Sequence, residues 1–414
     1  MSDEDQQLAE EPLEPETLWR GRSRSHKMCV VVAVASLCSG GLAILLSCCY
    51  LVPGLDRARD IESTRLSFRS PTRALVRLAE AVPQLTVDSI SGGRWVAETA
   101  EGPRPVKAGP GPWQVETTAD SFLINGQAFS GSNLTLRTGQ RVFLFNDSAY
   151  RGSLILYPKA GGLRAVNSLD LEQYLVSVVG SEMPTSWPSD ALEAQAVAAR
   201  TFAVYRLRER KSWNYNLSAA DLAYGGLEAE AISSRRAVEE TRGTVVRYAG
   251  ELFPTYFHST CGGWTTPATK VFAGPDIPPL QGVQCGWCSE SPVFRWTKEF
   301  TQRELTRALS DFDVGMVESI KPLQTQPDGY PRWVEVNGKK IDANKFRLTV
   351  GANELRSVAF EVDRRGNTFA FKGKGWGHGV GLCQWGAYGL AVGGKDWREI
   401  LDYYYPGVET HRAF

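Results

Sequence analysis

The feature that most constrains this chain is an uninterrupted run, Met28 to Leu55, that contains no charged residue and is rich in Val, Leu, Ala and Ile. A bilayer core needs about 20 apolar residues in a helix, so the run predicts a transmembrane anchor over 28–55. Before it lies a tail that is first acidic (Asp3, Glu4, Asp5, Glu10, Glu11) and then basic (Arg20, Arg22, Arg24, Lys27). Basic residues flank the cytoplasmic side of membrane helices. Residues 1–27 are therefore expected in the cytoplasm, with everything after the anchor in the cell envelope, outside the cytoplasm. A cleaved signal peptide is a second reading, although the run is longer than the usual signal core. Lipidation at Cys48, after Leu45-Leu46-Ser47, is a third.

Residues 56–112 read as stalk and linker. Gly92-Gly93, Pro103, Pro105 and Gly109-Pro110-Gly111-Pro112 are dense in residues that break regular structure. The folded domain is expected from Trp113 to residue 414, as one mixed α+β unit behind a transmembrane helix and a Gly/Pro-rich linker. Short β-prone runs come first: Leu134–Arg137, Val142–Phe145 and Ser153–Tyr157. Leu171, Tyr174, Leu175 and Val178 then repeat at helical spacing, with Ser168 as the expected cap. A second helix is expected over Asp190–Arg208, capped by Ser189. Its alanines at 191, 194, 196, 198, 199 and 203 make it small on nearly every side, as a buried helix with close neighbours must be. Strands are expected at Gly243–Tyr248, Arg332–Val336, Phe346–Val350 and Phe360–Val362, and a last helix near Trp397–Tyr403.

Lys plus Arg and Asp plus Glu both number 46, so the net charge is zero. Nucleic acid is not an expected partner, because no basic field attracts it.

Two segments carry chemical signal. In the first, Val178–Pro188, Glu182 lies in the connection between the two helices, beside Met183, Pro184 and Trp187. Apolar surroundings disfavour a carboxylate and suit a general acid; a solvated charge or a cap is the plain alternative. The second, Gly373-Lys-Gly-Trp-Gly-His-Gly-Val-Gly-Leu-Cys-Gln-Trp-Gly-Ala387, sets His378, Gln384 and Trp385 among six glycines. Glycine lets backbone approach a ligand closely. The Lys-Ser/Thr ending of a phosphate loop is absent.

A third constellation is independent of both. His258-x2-Cys261 is followed, after 23 intervening residues, by Cys285-x2-Cys288. One His and three Cys in two short pairs match a structural tetrahedral zinc site. A Cys285–Cys288 or Cys261–Cys285 disulfide is the competing reading in an oxidising envelope.

The segments "SEMPTSWPSDALEAQAVAARTFAVYR" (181–206) and "GKGWGHGVGLCQWGAYGLAVGGKDWREILDYYYPG" (373–407) resemble the two signature blocks of the SpoIID/LytB family. "YFHSTCGG" (256–263) and "FRLTVGANELRS" (346–357) resemble two further family segments in the right order. The resemblance covers roughly residues 113–410. It implies peptidoglycan as partner: a lytic transglycosylase acting on glycan strands stripped of their stem peptides, or a glycan-binding enhancer of a cell-wall amidase. It further implies Glu182 as catalytic acid/base, with Arg200, His378 and Gln384, and Trp385 beside them, lining the groove. It also supports zinc near the Cys pairs. Cys383 departs from the family, which usually has Ser before the Gln of the second block.

Overall fold

The computed structural model describes residues 72–414 except 90–94, 100–101, 107–110, 119–120, 211–214 and 324–327. The expected anchor at 28–55 lies outside the described residues. Among the described residues no helix is long and apolar enough to cross a membrane.

The first twelve strands are β1 (Arg73–Val82), β2 (Gln84–Asp88), β3 (Trp95–Thr99), β4 (Gly102–Pro105), β5 (Trp113–Thr117), β6 (Ser121–Ile124), β7 (Gln127–Ser130), β8 (Leu134–Thr138), β9 (Val142–Phe145), β10 (Ser148–Arg151), β11 (Ser153–Lys159) and β12 (Gly162–Asp170). With β13 (Leu217–Ser218) they form two sheets, in the orders β13-β1-β12-β11-β8-β3-β4 and β10-β9-β2-β5-β6-β7. Alternate residues point inward, such as Trp113 and Val115, Leu134 and Leu136, Leu154 and Leu156. One apolar core collects them from both sheets, which makes a sandwich. This corrects the expected stalk and linker at 56–112. From Arg73 on, the segment supplies β1 to β4, and β1 pairs with β12 along nearly its whole length. Pro103 and Pro105 lie within β4 itself, which pairs with β3, so these breakers do not remove the segment from the sheet.

The helices follow. α1 (Leu171–Glu182) is capped by Asp170, whose carboxylate accepts from the Glu172 N–H at 2.9 Å. Ser168, the expected cap, lies in β12. α2 (Ser189–Glu209) starts after Pro188 with no side-chain cap, so Ser189 is its first residue. Every residue from Ala191 to Ala203 is buried, as its alanine content predicts. α3 (Ile232–Glu240) and β14 (Thr244–Arg247) follow, with β15 (Phe257–His258) beyond them. These elements share the central core with the cysteines and the C-terminal helices.

A second, smaller core lies under β16 (Arg295–Thr301), α4 (Gln302–Ala308), β17 (Ile320–Leu323), β18 (Trp333–Val336), β19 (Lys339–Asp342), α5 (Ala343–Val350), β20 (Phe360–Arg365) and β21 (Thr368–Lys374). Phe346–Val350 is helical here, not a strand. Asp342 decides this by accepting from the Asn344 and Lys345 N–H groups at 3.0 Å each, which starts a helix that the short apolar run alone does not specify. The chain ends in β22 (Leu382–Cys383), α6 (Gln384–Val392), α7 (Trp397–Tyr404) and β23 (Glu409–Arg412).

Candidate active site and cysteine centre

Glu182 is the last residue of α1, not part of a free loop. Gly180, one turn earlier, lets a neighbouring segment close in: a methyl there would collide with the Ala229 carbonyl. That segment is held by Asp221, which accepts from the Ser218 N–H (3.0 Å), the Ser218 hydroxyl (2.9 Å) and Arg210 Nη1 (2.8 Å). So anchored, the Ala223 N–H donates to Glu182 Oε1 at 2.8 Å. From the other side, Gln384 Nε2 stands 3.5 Å from Glu182 Oε2 and 3.5 Å from Gln195 Oε1. Glu182 remains half-buried, so one side is open to a ligand.

Burial raises the Glu182 pKa above its ordinary value, against the opposing pull of the Ala223 N–H and the Gln384 amide. The C-terminal end of a helix carries partial negative charge, which works in the same direction as burial. A carboxyl so placed keeps its proton to higher pH and can donate it. If Glu182 is the acid, turnover falls as pH rises through a pKa above 4.5, because only the protonated form donates. A pH–rate profile checks this, and a limb at or below 4.5 overturns it.

Trp187, Trp385 and Tyr388 pack against one another, Trp385 directly after Gln384 in the chain. The ring centroids are 4.9 Å apart for Trp187 and Trp385, 5.0 Å for Trp187 and Tyr388, and 5.5 Å for Trp385 and Tyr388. All three are half-buried. Met183 lies four residues before Trp187 and Gln384 directly precedes Trp385, so the apolar wall and the polar partner come from the same two segments.

Arg200, expected to bind substrate, does not reach the groove. It is 0% exposed, and its Nε and Nη2 donate to the two Glu172 carboxylate oxygens at 2.8 Å each. Its remaining donors go to the Thr244 carbonyl (3.1 Å) and the Val238 carbonyl (3.2 Å). Arg200 ties α1, α2, α3 and β14 together. Arg200→Lys keeps the charge but loses the fork, so it should lower stability by about 1–3 kcal/mol while the folded protein keeps its activity. Denaturant unfolding beside an activity assay checks this, and selective loss of activity would restore a substrate role.

His378 is also turned to structure. Its Nδ1 accepts from the Val380 N–H at 3.0 Å, and the Phe257 backbone bonds the ring as well. Tyr256, Phe272 and His258 surround it. Burial holds its pKa well below the ordinary value, so it is neutral. The ring fixes the Gly377–Gly381 loop, where Gly377, Gly379 and Gly381 all have positive φ.

The metal set needs one replacement. Parallel pairing of β15 with β22 sets Cys383 opposite His258, and it is Cys383 that joins Cys261, Cys285 and Cys288. The four sulfurs lie within 4.8 Å of one another, all buried. His258 is excluded from this group. Its Nδ1 contacts the Val380 carbonyl at 3.1 Å, its Nε2 is buried without a partner among the described residues, and burial pushes its pKa down to about 4. All four cysteines are free thiols. Cys261 Sγ and Cys288 Sγ are 3.6 Å apart, close to the edge of about 3.8 Å that a tetrahedron with 2.3 Å metal–sulfur bonds requires. Hydrogen bonds from Cys261 favour the thiolates of Cys285 and Cys288. Four soft, buried sulfurs at this spacing can hold a metal ion.

In the sequence Cys383 stands out only as a departure from the family pattern. The Ala223 N–H and Asp221 carried no sequence signal, because a backbone donor from a loop 41 residues away leaves no motif.

Residues 159–248 match the family described as Stage II sporulation protein, and residues 285–381 match a domain of unknown function. An uncharacterized protein of Brachyspira hyodysenteriae is 36% identical over 272 residues, 64% of this chain and 73% of its own. Stage II sporulation protein D of Bacillus subtilis is 31% identical over 267 residues, 60% of this chain and 77% of its own. The amidase enhancer of Bacillus subtilis is 25% identical over 374 residues, 70% of this chain and 51% of its own, so the match spans about half of that protein. With the stage II sporulation protein D of Bacillus amyloliquefaciens 32% identical and 76% covered, the chain belongs to the stage II sporulation protein D (SpoIID/LytB) family.

Proposed function

We propose that this protein is a lytic transglycosylase that cleaves peptidoglycan glycan strands stripped of their stem peptides, with Glu182 as the single acid and base. The observation that carries the reading is a half-buried carboxyl, its pKa raised by burial, held by one backbone N–H beside an aromatic wall. Ordinary glycosidases use two carboxylates. One suffices if the sugar supplies its own nucleophile. Glu182 donates its proton to the glycosidic oxygen as the C1–O bond breaks. The 6-hydroxyl of the same sugar then bonds to C1 and gives its proton to the Glu182 carboxylate. No water is consumed, and the new end is a 1,6-anhydro sugar. Gln384 orients the carboxyl, and Trp187 and Trp385 offer flat apolar faces to sugar rings. An anchor at 28–55 would hold this groove beside the polymer.

Mass spectrometry of denuded strands treated with the purified full-length protein tests the reading. Anhydro ends without gain of water are expected. Ends that have gained water replace it with a hydrolase. Intact strands, with stimulated peptide release by a cell-wall amidase, replace it with the enhancer reading that the amidase enhancer relative suggests.

The same proposal includes a structural zinc held by Cys261, Cys285, Cys288 and Cys383. Four protein ligands close the coordination sphere, so the metal would contribute folding energy and leave the chemistry to Glu182.

A further inference from the structure

The three-stranded sheet of β16, β21 and β20 carries a feature that the cleavage mechanism leaves unused. Arg295 and Lys374 stand directly opposite each other on paired strands, both exposed. Side chains so placed have Cβ atoms about 4.5–5.5 Å apart, and like charges there repel. Among the described residues neither forms an ion pair. Of the nearby acids, Asp363 Oδ2 is 3.4 Å from Lys372 Nζ, whereas Glu361 faces Lys372 across the strands and forms no ion pair among the described residues. A third cation adjoins them. Ser357 bonds the Lys374 carbonyl at 2.6 Å, and its neighbour Arg356 lies over the ring of Trp376, 5.4 Å from the centroid. Trp376 is 36% exposed. Arg295 and Lys374 also line a depression of about 650 Å3. Trp296, one residue along β16, is only 7% exposed and packs into the core beneath the sheet. Unmatched cations call for an anion; an exposed indole face calls for a flat apolar one, such as a sugar ring.

We propose that Arg295, Arg356, Lys374 and Trp376 form a subsite for an acidic sugar of the glycan strand, with the ring against Trp376 and the carboxylate between Arg295 and Lys374. The inference rests on the glycan reading above. Stripping a strand of its stem peptides frees the lactyl carboxylate of each muramic acid, whereas an amide-linked peptide leaves no charge at that point. The subsite thus favours denuded strands. A chain of contacts leads from it toward Gln384: Lys374 packs on Gly262, the adjacent Cys261 N–H donates to Cys383 Sγ at 3.3 Å, and Gln384 follows.

The test measures binding by the full-length E182Q variant, which holds strands without cutting them, to denuded strands and to the same strands with carboxylates reduced to alcohols. Reduction should weaken binding about tenfold or more, as loss of charge-assisted bonds does. Arg295→Gln with Lys374→Gln should weaken binding to native strands by the same factor and respond no further to reduction. Trp376→Ala should weaken binding to both strands, because stacking does not need the charge. Lys395→Gln, an exposed lysine paired with Glu399, should change nothing. Equal affinity for native and reduced strands overturns the subsite, as does full sensitivity to reduction in the double variant. A double variant that loses only a glycerol-phosphate polymer overturns it as well. Continued strand cleavage by the parent protein in those cases leaves the transglycosylase reading standing; strands neither bound nor cut remove both.

Discussion

Glu182→Gln is expected to abolish strand cleavage while the fold and glycan binding persist. Gln is nearly isosteric and can still accept from the Ala223 N–H at the position of Oε1. It cannot deliver a proton near neutral pH. General acid–base catalysis contributes about 10²–10⁴ in rate, and one residue here serves both steps, so the loss should reach the upper part of that range. Stability should move the other way. The folded state raises the Glu182 pKa through burial, so it binds the proton more tightly than the unfolded chain does. That contribution is fully present below the ordinary Glu range and is lost as pH rises through the raised pKa. Above that raised pKa the parent carries a carboxylate that the fold disfavours, and Gln removes this burden. The variant should therefore melt at or above the parent's temperature at neutral pH. Product analysis and a thermal melt on one preparation check both halves. Cleavage at the parent's rate would show that Glu182 is not the acid. Loss of activity with a fall in melting temperature would assign it a structural role.

Removal of metal should act chiefly on stability. Cys261, Cys285, Cys288 and Cys383 come from three separate stretches of chain, and Cys383 leads directly into α6. Gly386 in that helix shows how tightly the region is packed: a methyl there would meet Tyr404 Oη and Cys285 Sγ. A metal that binds only the folded chain contributes about 4 kcal/mol when free metal is a thousandfold above Kd. At about 2–4 °C per kcal/mol, Cys383→Ser should lower the melting temperature by roughly 10 °C and release one zinc per chain. His258→Ala should keep the zinc, because His258 lies outside the sulfur cluster. This pair of variants separates the four-cysteine site from the His-Cys-Cys-Cys set that the spacing suggested. Elemental analysis decides it: zinc lost with His258→Ala and kept with Cys383→Ser reverses the assignment, and no zinc in the parent removes it. Because Gln384 follows Cys383, the serine variant should also cleave strands more slowly even where it remains folded.

Much of the fold was legible in the sequence because local physics fixed it. The alanine run of α2 announces a helix packed on all sides, and α7 ends within one residue of its expected position. Short β-prone runs at 134–137, 142–145 and 153–157 became β8, β9 and β11. Failures came where a local rule met a competing one. Glycines and prolines between 92 and 112 suggested a linker, yet β3 pairs with β8, and β4 forms on its other edge with Pro103 and Pro105 inside it. At 346–350 the apolar run suited a strand, and one aspartate cap tipped it to helix.

The site divides along the same line. The sequence by itself determined the chemistry on offer: the acid Glu182, the amide of Gln384, the indoles of Trp187 and Trp385, and four thiols. Tertiary structure alone decided which of these meet. It withdrew Arg200 into a buried pair with Glu172 and turned His378 to its own loop. It brought the Ala223 N–H to Glu182 and exchanged His258 for Cys383 among the sulfurs. The physical reason is range. Helix and strand periods, caps and turns act over a few residues and can be read along the chain. A hydrogen bond spanning 41 residues, or a sulfur delivered by parallel pairing of two-residue strands 125 positions apart, depends on how whole elements pack and leaves no mark in either segment alone.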